Sequence, residues 1–188
     1  MASGHSSSTT QCPEQGERSR CQLEIGQNVY VVAQPWKQEL LIHIRKFDSD
    51  KGKTFPTKQG IALNLKQWVE LCGCKSQIDE TISALKQGKD ETLVKHLGAN
   101  VHASMDKNFT GVDLRQWWWC DEMKSVKPSK KGIFLSLQQW EKLKGCFTVM
   151  CDFVPELNSS VPCAMQDDHQ NQMGFLQCSF CTPNGYHQ

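Results

Sequence analysis

The chain has 188 residues, 38% of them hydrophobic, which is enough to bury one ordinary core or two small ones. Its formal charge of +1 gives no bulk field of the kind that marks proteins binding nucleic acid or membranes, so any such role must rest on a local patch. No apolar run approaches the length of a membrane span, and the opening MASGHSSSTTQ lacks the pattern of a signal peptide. We therefore expect an intracellular protein without membrane contact.

The first 22 residues are rich in Ser, Thr and Gln and show no hydrophobic periodicity. Such a segment buries too little apolar surface to offset the entropy lost on ordering. We predict that residues 1–22 form a disordered tail.

The body of the chain contains an internal repeat. KQGIALNLKQW at residues 58–68 returns as KKGIFLSLQQW at residues 130–140, which is 72 positions later. Arg45 and Arg115, however, are only 70 apart, so the second copy is two residues shorter before the arginine and two longer after it. Length changes that cancel in this way belong in hairpin turns, whose tips tolerate insertions. The repeats are predicted at residues 23–88 and 94–157.

Each repeat is predicted to contain about four strands followed by one helix. NVYVVAQ and ELLIHIRKF are rich in β-branched and aromatic residues, and DSDKGK is typical of a turn. After Asn64 or Ser136, both suitable helix caps, apolar residues recur at spacings of three and four. Gly73 and Gly145 fall at the same place in the two helices and should weaken each one only locally. The expected fold class is α+β, with one face of each sheet covered and the other open.

The stretch LRQWWWC, residues 114–120, raises the question of what three adjacent tryptophans do. Successive residues of a strand point to opposite faces, so no register hides Trp117, Trp118 and Trp119 together under one helix. The same alternation predicts that Arg115 and its counterpart Arg45 lie on the open face. Exposed rings beside basic groups stack on bases while the cations follow the phosphates of a single strand. The alternative is that the tryptophans fill an interface between the repeats.

A basic segment lies close to the tryptophans. KSVKPSKKG, residues 124–132, contains four lysines and no acid on an otherwise neutral chain. Such a patch favours phosphate contacts, and the alternative is a solvated hairpin tip.

Both repeats resemble the positive cofactor four family of transcriptional coactivators. The resemblance rests on LLIHIRKF with KQGIALNLKQW in the first copy and on VDLRQWWW with VKPSKKGIFLSLQQWEKL in the second. It implies a curved four-stranded antiparallel sheet and one helix per repeat, and it implies binding of single-stranded or unpaired DNA by a dimer with paired helices. Two copies in one chain are therefore expected to pack as an intramolecular pseudo-dimer, either monomeric or in a higher oligomer.

The resemblance also implies a set of nucleic-acid contacts that the two repeats share unequally. In chain order these are Trp36, Lys37, Arg45, Lys58, Lys107, Arg115, Trp117, Trp118, Lys127, Lys130 and Lys131. Trp118 takes the place of the family's base-stacking tryptophan, and Trp117 that of a flanking aromatic. Asp48 stands at the stacking position of repeat one, and Asp106 replaces the first-hairpin aromatic of repeat two. Glu39 reverses a lysine charge, so neither copy is complete.

Residues 158–188 contain no lysine or arginine but several candidate metal ligands. The segment CSFC supplies Cys178 and Cys181, and Cys163, His169 and His187 accompany them. One C-x-x-C pair with a further cysteine and a histidine closes a tetrahedral zinc site. A second C-x-x-C pair is absent, so a disordered tail with incidental cysteines is the alternative. No other cofactor is expected.

Together these patterns predict a nuclear, non-enzymatic coactivator-like protein that binds single-stranded or melted DNA by aromatic stacking and Lys/Arg phosphate contacts. Proteins of the transcription machinery are expected as further partners. No nucleophile and base, carboxylate pair or phosphate-binding loop suggests catalysis. One rival is a protein-interaction scaffold whose sheets have lost nucleic-acid binding, which Glu39 and Asp48 favour. Another is a domain whose zinc site is the functional part.

Overall fold

The computed structural model describes residues 19–185, which form two antiparallel sheets of four strands with accompanying helices. The first sheet contains β1 (Cys21–Gly26), β2 (Val29–Trp36), β3 (Glu39–Asp50) and β4 (Lys53–Leu63), in that spatial order. The second contains β5 (Leu93–Gly98), β6 (Val101–Asp106), β7 (Phe109–Cys120) and β8 (Ser125–Ser136), also in chain order. The helices are α1 (Leu65–Gly73), α2 (Lys75–Lys86), α3 (Leu137–Phe153) and α4 (Gln172–Gln177). The predicted α+β class, with two tandem sheet-and-helix units, is confirmed.

The ends of the chain depart in part from the expected boundaries. Residues 1–18 and His187 lie outside the described part, so the tail prediction meets the structure only at residues 19–22. There β1 begins at Cys21, two residues inside the predicted tail. Next to it, Arg20 forms an ion pair with Glu156 at 2.8 Å. The sheet therefore begins earlier than the sequence suggested.

The two length differences between the repeats have different structural origins. The β3–β4 turn has two residues, between Asp50 and Lys53, whereas the β7–β8 loop has four, between Cys120 and Ser125. This difference lies at a hairpin tip, as predicted. The other length difference, before the arginine, lies in a strand, because β6 has 6 residues and β2 has 8. A register shift in the β6–β7 pairing near Asp106 absorbs the mismatch.

Each sheet is followed by a helix, as predicted, but the helix of repeat one is interrupted. It is divided at Cys74 into α1 and α2, whereas α3 runs unbroken for 17 residues. Glycine alone does not explain the break, because Gly73 and Gly145 occupy equivalent places. Cys74 is buried, and its thiol donates to the carbonyl of Leu71 at 3.2 Å, but Cys146 at the equivalent place in α3 is buried as well and donates to the carbonyl of Lys142 at 3.4 Å. None of the helices in residues 19–185 is long and apolar enough to cross a membrane.

Both predicted helix caps are confirmed. Asn64 and Ser136 each accept a hydrogen bond from the backbone amide three residues on, and Gln67 or Gln139 returns one to the cap residue's amide. This reciprocal capping box satisfies backbone donors that the first helical turn would otherwise leave unpaired. The glutamine side chains are thereby fixed with their amide groups free to donate elsewhere.

Those two glutamines join the repeats. The side chain of Gln67 donates to the carbonyl of Gly98 at 3.0 Å, and the side chain of Gln139 donates to the carbonyl of Gly26 at 3.0 Å. Donors and acceptors are each 72 positions apart, so the contacts obey an approximate two-fold relation between the repeats. The expected intramolecular pseudo-dimer is confirmed.

One hydrophobic core, shared by both repeats, lies between the sheets and includes Trp68 and Trp140. The ring of Phe147 contacts both indoles, with centroids 5.3 Å and 6.0 Å away. At the edge of this core, Asp79 accepts hydrogen bonds from the Trp140 indole at 2.8 Å and from Lys144 at 2.9 Å. Each helix therefore buries its apolar face against the other repeat, and neither unit is complete alone.

Replacing Gln139 with glutamate tests the contact between the repeats. Gln139→Glu keeps an acceptor for the capping box but removes the donor to Gly26, leaving a part-buried carbonyl without its partner. We expect the free energy of unfolding in urea at pH 7 to fall by about 1–3 kcal/mol.

The matched control is Gln138→Glu, at the exposed neighbouring position in the same helical turn. A carboxylate there gains from the helix dipole and loses no buried hydrogen bond, so stability should be unchanged or slightly raised. Equal stability of the two variants would contradict the proposed role of Gln139.

Candidate nucleic-acid interface

The open face of each sheet forms a groove. Groove one, about 810 Å³, lies on the first sheet and is lined by residues that include Trp36, His43, Arg45, Phe47, Pro56, Thr57 and Lys58. Groove two, about 590 Å³, lies on the second sheet and is lined by residues that include Asp106, Phe109, Asp113, Arg115, Trp117, Pro128 and Phe134. Both strand arginines therefore face the open side, as the alternation predicted.

Each strand arginine also binds the neighbouring strand. Arg45 donates from Nη1 to the carbonyl of Thr57 at 2.7 Å, and Arg115 donates from Nη1 to the carbonyl of Ser129 at 2.9 Å. Both acceptors lie where the strand pairing shifts register, just beyond the arginine. The arginines thus stabilise the bulge that shapes each groove, and part of their hydrogen-bonding capacity is used within the sheet.

A glycine opposite each arginine makes room for its side chain. A Cβ on Gly60 would lie 2.8 Å from Cβ and Cγ of Arg45, and a Cβ on Gly132 would lie 2.9 Å from Cβ of Arg115. Both separations are well below van der Waals contact. The glycine in KQG and KKG therefore allows the arginine stem to lie across the adjacent strand.

The two grooves differ in charge because Arg115 has an acidic partner. Arg115 forms two hydrogen bonds with Asp113, Nε to Oδ2 at 2.7 Å and Nη2 to Oδ1 at 2.8 Å. This contact raises the pKa of Arg115 and neutralises its charge locally. Asp106 adds a second acid, so groove two has one cation and two acids.

Groove one presents positive charge without a balancing acid. Its cations are Arg45 and Lys58, and none of the described residues that line it is acidic. His43 occupies the place that Asp113 has in groove two. Burial, and then the charge of Arg45, lower the pKa of His43, so its ring is neutral at pH 7. Groove one is therefore the more favourable surface for a polyanion.

Aromatic rings line groove one. Trp36, at the end of β2, is 59% exposed, and Phe47 lies further along the open face. Phe47 packs edge-on against Tyr30 with centroids 5.0 Å apart, which fixes its orientation. An exposed indole and a supported phenyl ring are therefore available beside the two cations.

Trp117, in the lining of groove two, is the end of a stack of rings that continues outside the groove. Trp117 lies 4.5 Å from His102 at an interplanar angle of 34°, and His102 lies 4.9 Å from His96. Burial, and then the nearby His102, lower the pKa of His96 to about 4, so this stack is uncharged at neutral pH. The Trp117 indole Nε1 is buried and has no hydrogen-bond partner among residues 19–185. The stack therefore supports the Trp117 ring from outside the groove with uncharged neighbours.

The three adjacent tryptophans are divided between the faces of β7, as their spacing required. Trp118 points away from groove two, is 49% exposed and pairs across the strands with Lys127. Trp119 donates from Nε1 to Asp121 at 3.0 Å. Of the two contact tryptophans predicted in repeat two, only Trp117 lines the groove beside Arg115.

The predicted lysines are more scattered than the arginines. Lys37 lies in the turn beyond Trp36, and Lys107, in the equivalent turn of repeat two, forms an ion pair with Asp90. Lys130 and Lys131 are exposed on β8 outside the lining of groove two. Groove one thus collects Trp36, Arg45 and Lys58, and groove two collects Arg115 and Trp117. The DNA-contacting role of all of these residues stays a prediction.

Residues that the sequence analysis did not select also shape the grooves, notably Phe47, His43 and Asp113. Aligning the repeats at the arginine offset of 70 places Phe47 opposite Trp117 and His43 opposite Asp113. This alignment could have identified the three residues from the sequence, because each lies two positions from a strand arginine and residues two apart in a strand share a face.

The predicted metal ligands come together at the other end of the chain. The ligand atoms of Cys163, His169, Cys178 and Cys181 all lie within 4.8 Å of one another. Their segment forms short 3-10 helices at Pro155–Ser159, Cys163–Met165 and Asp167–His169, followed by α4. This arrangement differs from the disordered tail that was the alternative.

These features define a class of binding protein in which two paired modules expose basic and aromatic side chains on open sheets. The family model described as transcriptional coactivator p15 (PC4) matches the chain at residues 23–73 and 99–145, just over half of its length. The chain belongs to this family, as a tandem pair of its domain. The family comprises transcriptional coactivators and is not a class of enzymes.

The chain is also similar to the RNA polymerase II transcriptional coactivator KIWI of Arabidopsis thaliana. The two are 36% identical over 61 residues, which is 32% of this chain and 57% of that protein. The chain therefore spans a little over half the length of this relative.

Enlarging the glycine opposite Arg45 tests the packing of that side chain. Gly60→Ala places a methyl group against the arginine stem, and we expect a loss of about 1–3 kcal/mol in the free energy of unfolding. The control is Gly73→Ala, where a Cβ meets nothing within 4 Å and alanine favours the helix. If Gly60→Ala is as stable as the control, the close packing of Arg45 on β4 is refuted.

Proposed function

We propose that this coactivator binds single-stranded or melted DNA and that groove one is its main binding surface. The observation that carries the proposal is the combination, on one open sheet face, of an exposed indole, a second aromatic ring and two cations without an acid. Bases stack on aromatic faces while cations bind phosphates, and this mode tolerates any sequence.

The residues of groove one have separate roles in this mode. Trp36, at the rim, stacks on one base, and Phe47, supported by Tyr30, offers a second face deeper in the groove. Lys58 binds phosphate as a flexible point charge. Arg45 is fixed by its bond to Thr57 and directs its remaining donors at the phosphate path. Lys37, in the turn beyond Trp36, extends the positive path outward.

Groove two supports the second candidate function, which is the binding of a protein segment. Arg115 is already paired with Asp113, and Asp106 adds further repulsion toward phosphates. The rings of Phe109, Trp117 and Phe134 in its lining suit a peptide, whose apolar side chains bury against them. We propose that the two repeats divide these tasks.

This division fits a transcriptional role. The similar KIWI protein is named as a coactivator of RNA polymerase II. We propose that this chain acts in the nucleus and that groove two contacts a protein of the transcription machinery while groove one contacts melted DNA. Action as a pure binding protein, without catalysis, follows from the same proposal.

Removal of one exposed ring from each groove tests the assignment of groove one. We expect Trp36→Ala to weaken binding of a labelled single-stranded oligonucleotide by about 5- to 150-fold, because it removes one stacking contact. Phe109→Ala removes an exposed ring of groove two and should have little effect. Fluorescence anisotropy at low and at physiological salt measures both.

The arginine pair adds a second, charge-specific comparison. Arg45→Gln should reduce the slope of log affinity against log salt by about 0.7, which corresponds to one lost phosphate contact, whereas Arg115→Gln should leave the slope unchanged. Equal effects in the two repeats would show that the grooves are equivalent. Absence of binding at low salt would refute the DNA proposal and leave protein binding as the function.

A further inference from the structure

The C-terminal segment brings four metal-ligating side chains to one point. Cys163 and His169 belong to two 3-10 helices, and Cys178 and Cys181 lie in the loop after α4. The Sγ atoms of Cys163 and Cys178 are 3.9 Å apart, and Sγ of Cys181 is 3.8 Å from Nδ1 of His169. Both Cys163 and His169 are buried.

These separations match the edges of a metal-centred tetrahedron. With bonds of about 2.0–2.3 Å, ligand atoms of a tetrahedral zinc site lie about 3.5–3.8 Å apart. A disulfide would instead require two sulfur atoms at about 2.05 Å and would give the histidine no role. Convergence of all four groups therefore favours a shared ion over a cross-link.

The C-x-x-C pair has the spacing of a metal knuckle. Cys178 and Cys181 lie in the loop that follows α4, with two residues between them, and two thiolates at this spacing fit one ion.

The segment that carries the four ligands has little core of its own. Helix α4 is 6 residues long, and none of its own residues is buried. The segment docks instead on a neighbouring turn, where Ala99 donates its amide to the carbonyl of Phe180 at 2.8 Å. The side-chain amides of Asn100 and Asn184 form a reciprocal pair at 2.9 Å and 2.8 Å. A short segment of this kind needs a staple to keep one conformation.

The docking site lies at the joint between the repeats. On repeat one, Glu70 of α1 accepts a hydrogen bond from the amide of Cys163 at 3.0 Å. On repeat two, the Phe180 ring fills the space above Gly98, where a Cβ would lie 2.0 Å from the ring. Gly98 is also the acceptor of Gln67, so the segment covers one of the two glutamine contacts. At the equivalent Gly26, the nearest group to a built Cβ is Lys142 Nζ at 3.4 Å.

We propose that Cys163, His169, Cys178 and Cys181 bind one Zn²⁺ ion and that the occupied site clamps the C-terminal segment across the joint between the two repeats. Three thiolates and one imidazole are a ligand set typical of structural zinc. Four protein ligands leave no position for substrate, so the ion acts as a staple. The clamp acts on one joint only and makes the pseudo-dimer asymmetric.

Metal analysis of the purified full-length chain tests the site directly. We expect one zinc per chain in the wild type and almost none in the double variant Cys178→Ser, Cys181→Ser. The control is Cys72→Ser, Cys151→Ser, which removes two half-buried cysteines outside the cluster and should keep the metal. Cobalt exchanged into the wild type should give the absorption of a tetrahedral thiolate site, so the test stands even if the double variant does not fold.

A second measurement tests the clamp. Removal of zinc with a chelator should lower the melting temperature of the wild type and speed proteolysis within residues 158–185, because metal binding to the folded state stabilises it. Phe180→Ala should keep the zinc but also expose the segment to protease. Less than half a zinc per chain with no cobalt signal, or a disulfide found by mass, would overturn the proposal. None of these readouts depends on DNA binding.

Discussion

The hydrogen bonds that the capping glutamines donate across the repeats bind each helix to the opposite sheet, and the rest of the structure depends on this exchange. Gln67 and Gln139 begin their helices, complete the capping boxes and reach the glycine carbonyls of the other repeat. Around them lies the shared core that includes Trp68 and Trp140. Because the helices pack on the inner sides of the sheets, both sheets keep their outer faces open for binding.

Two modules joined in one chain are free to differ in sequence, whereas the two subunits of a homodimer are not. Identical subunits must present identical grooves, whereas these two repeats differ at matching positions. His43 in one groove is replaced by Asp113 in the other, and this exchange decides whether the strand arginine is available or already paired. The C-terminal segment extends the asymmetry by docking at only one joint. A single chain of this design has room for two different partners, one on each sheet.

Much of the architecture follows from local sequence patterns. Alternation predicted the open faces, the capping residues predicted the helix starts, and the family resemblance of the two copies implied the pairing of the two units. The break at Cys74 was not predictable, because equivalent Gly–Cys pairs, at residues 73–74 and 145–146, stand in both helices and only the first helix is broken there. Asp113 and Arg115 are two residues apart in a strand, so the sequence already places them on one face. Only the side-chain geometry shows that the guanidinium donates two hydrogen bonds to the carboxylate. Likewise, sequence spacing offered the metal ligands only as a possibility until the fold brought them within 4.8 Å.

Photochemical cross-linking tests directly whether DNA binds in groove one and not in groove two. A single-stranded oligonucleotide that contains halogenated uracil cross-links to aromatic side chains that stack on its bases, and mass spectrometry of the digested protein identifies those side chains. We expect adducts at Trp36 and Phe47 on the first sheet, because both rings lie in groove one. Adducts confined to Trp117 or Trp118 would contradict it, because they would place the DNA on the second repeat.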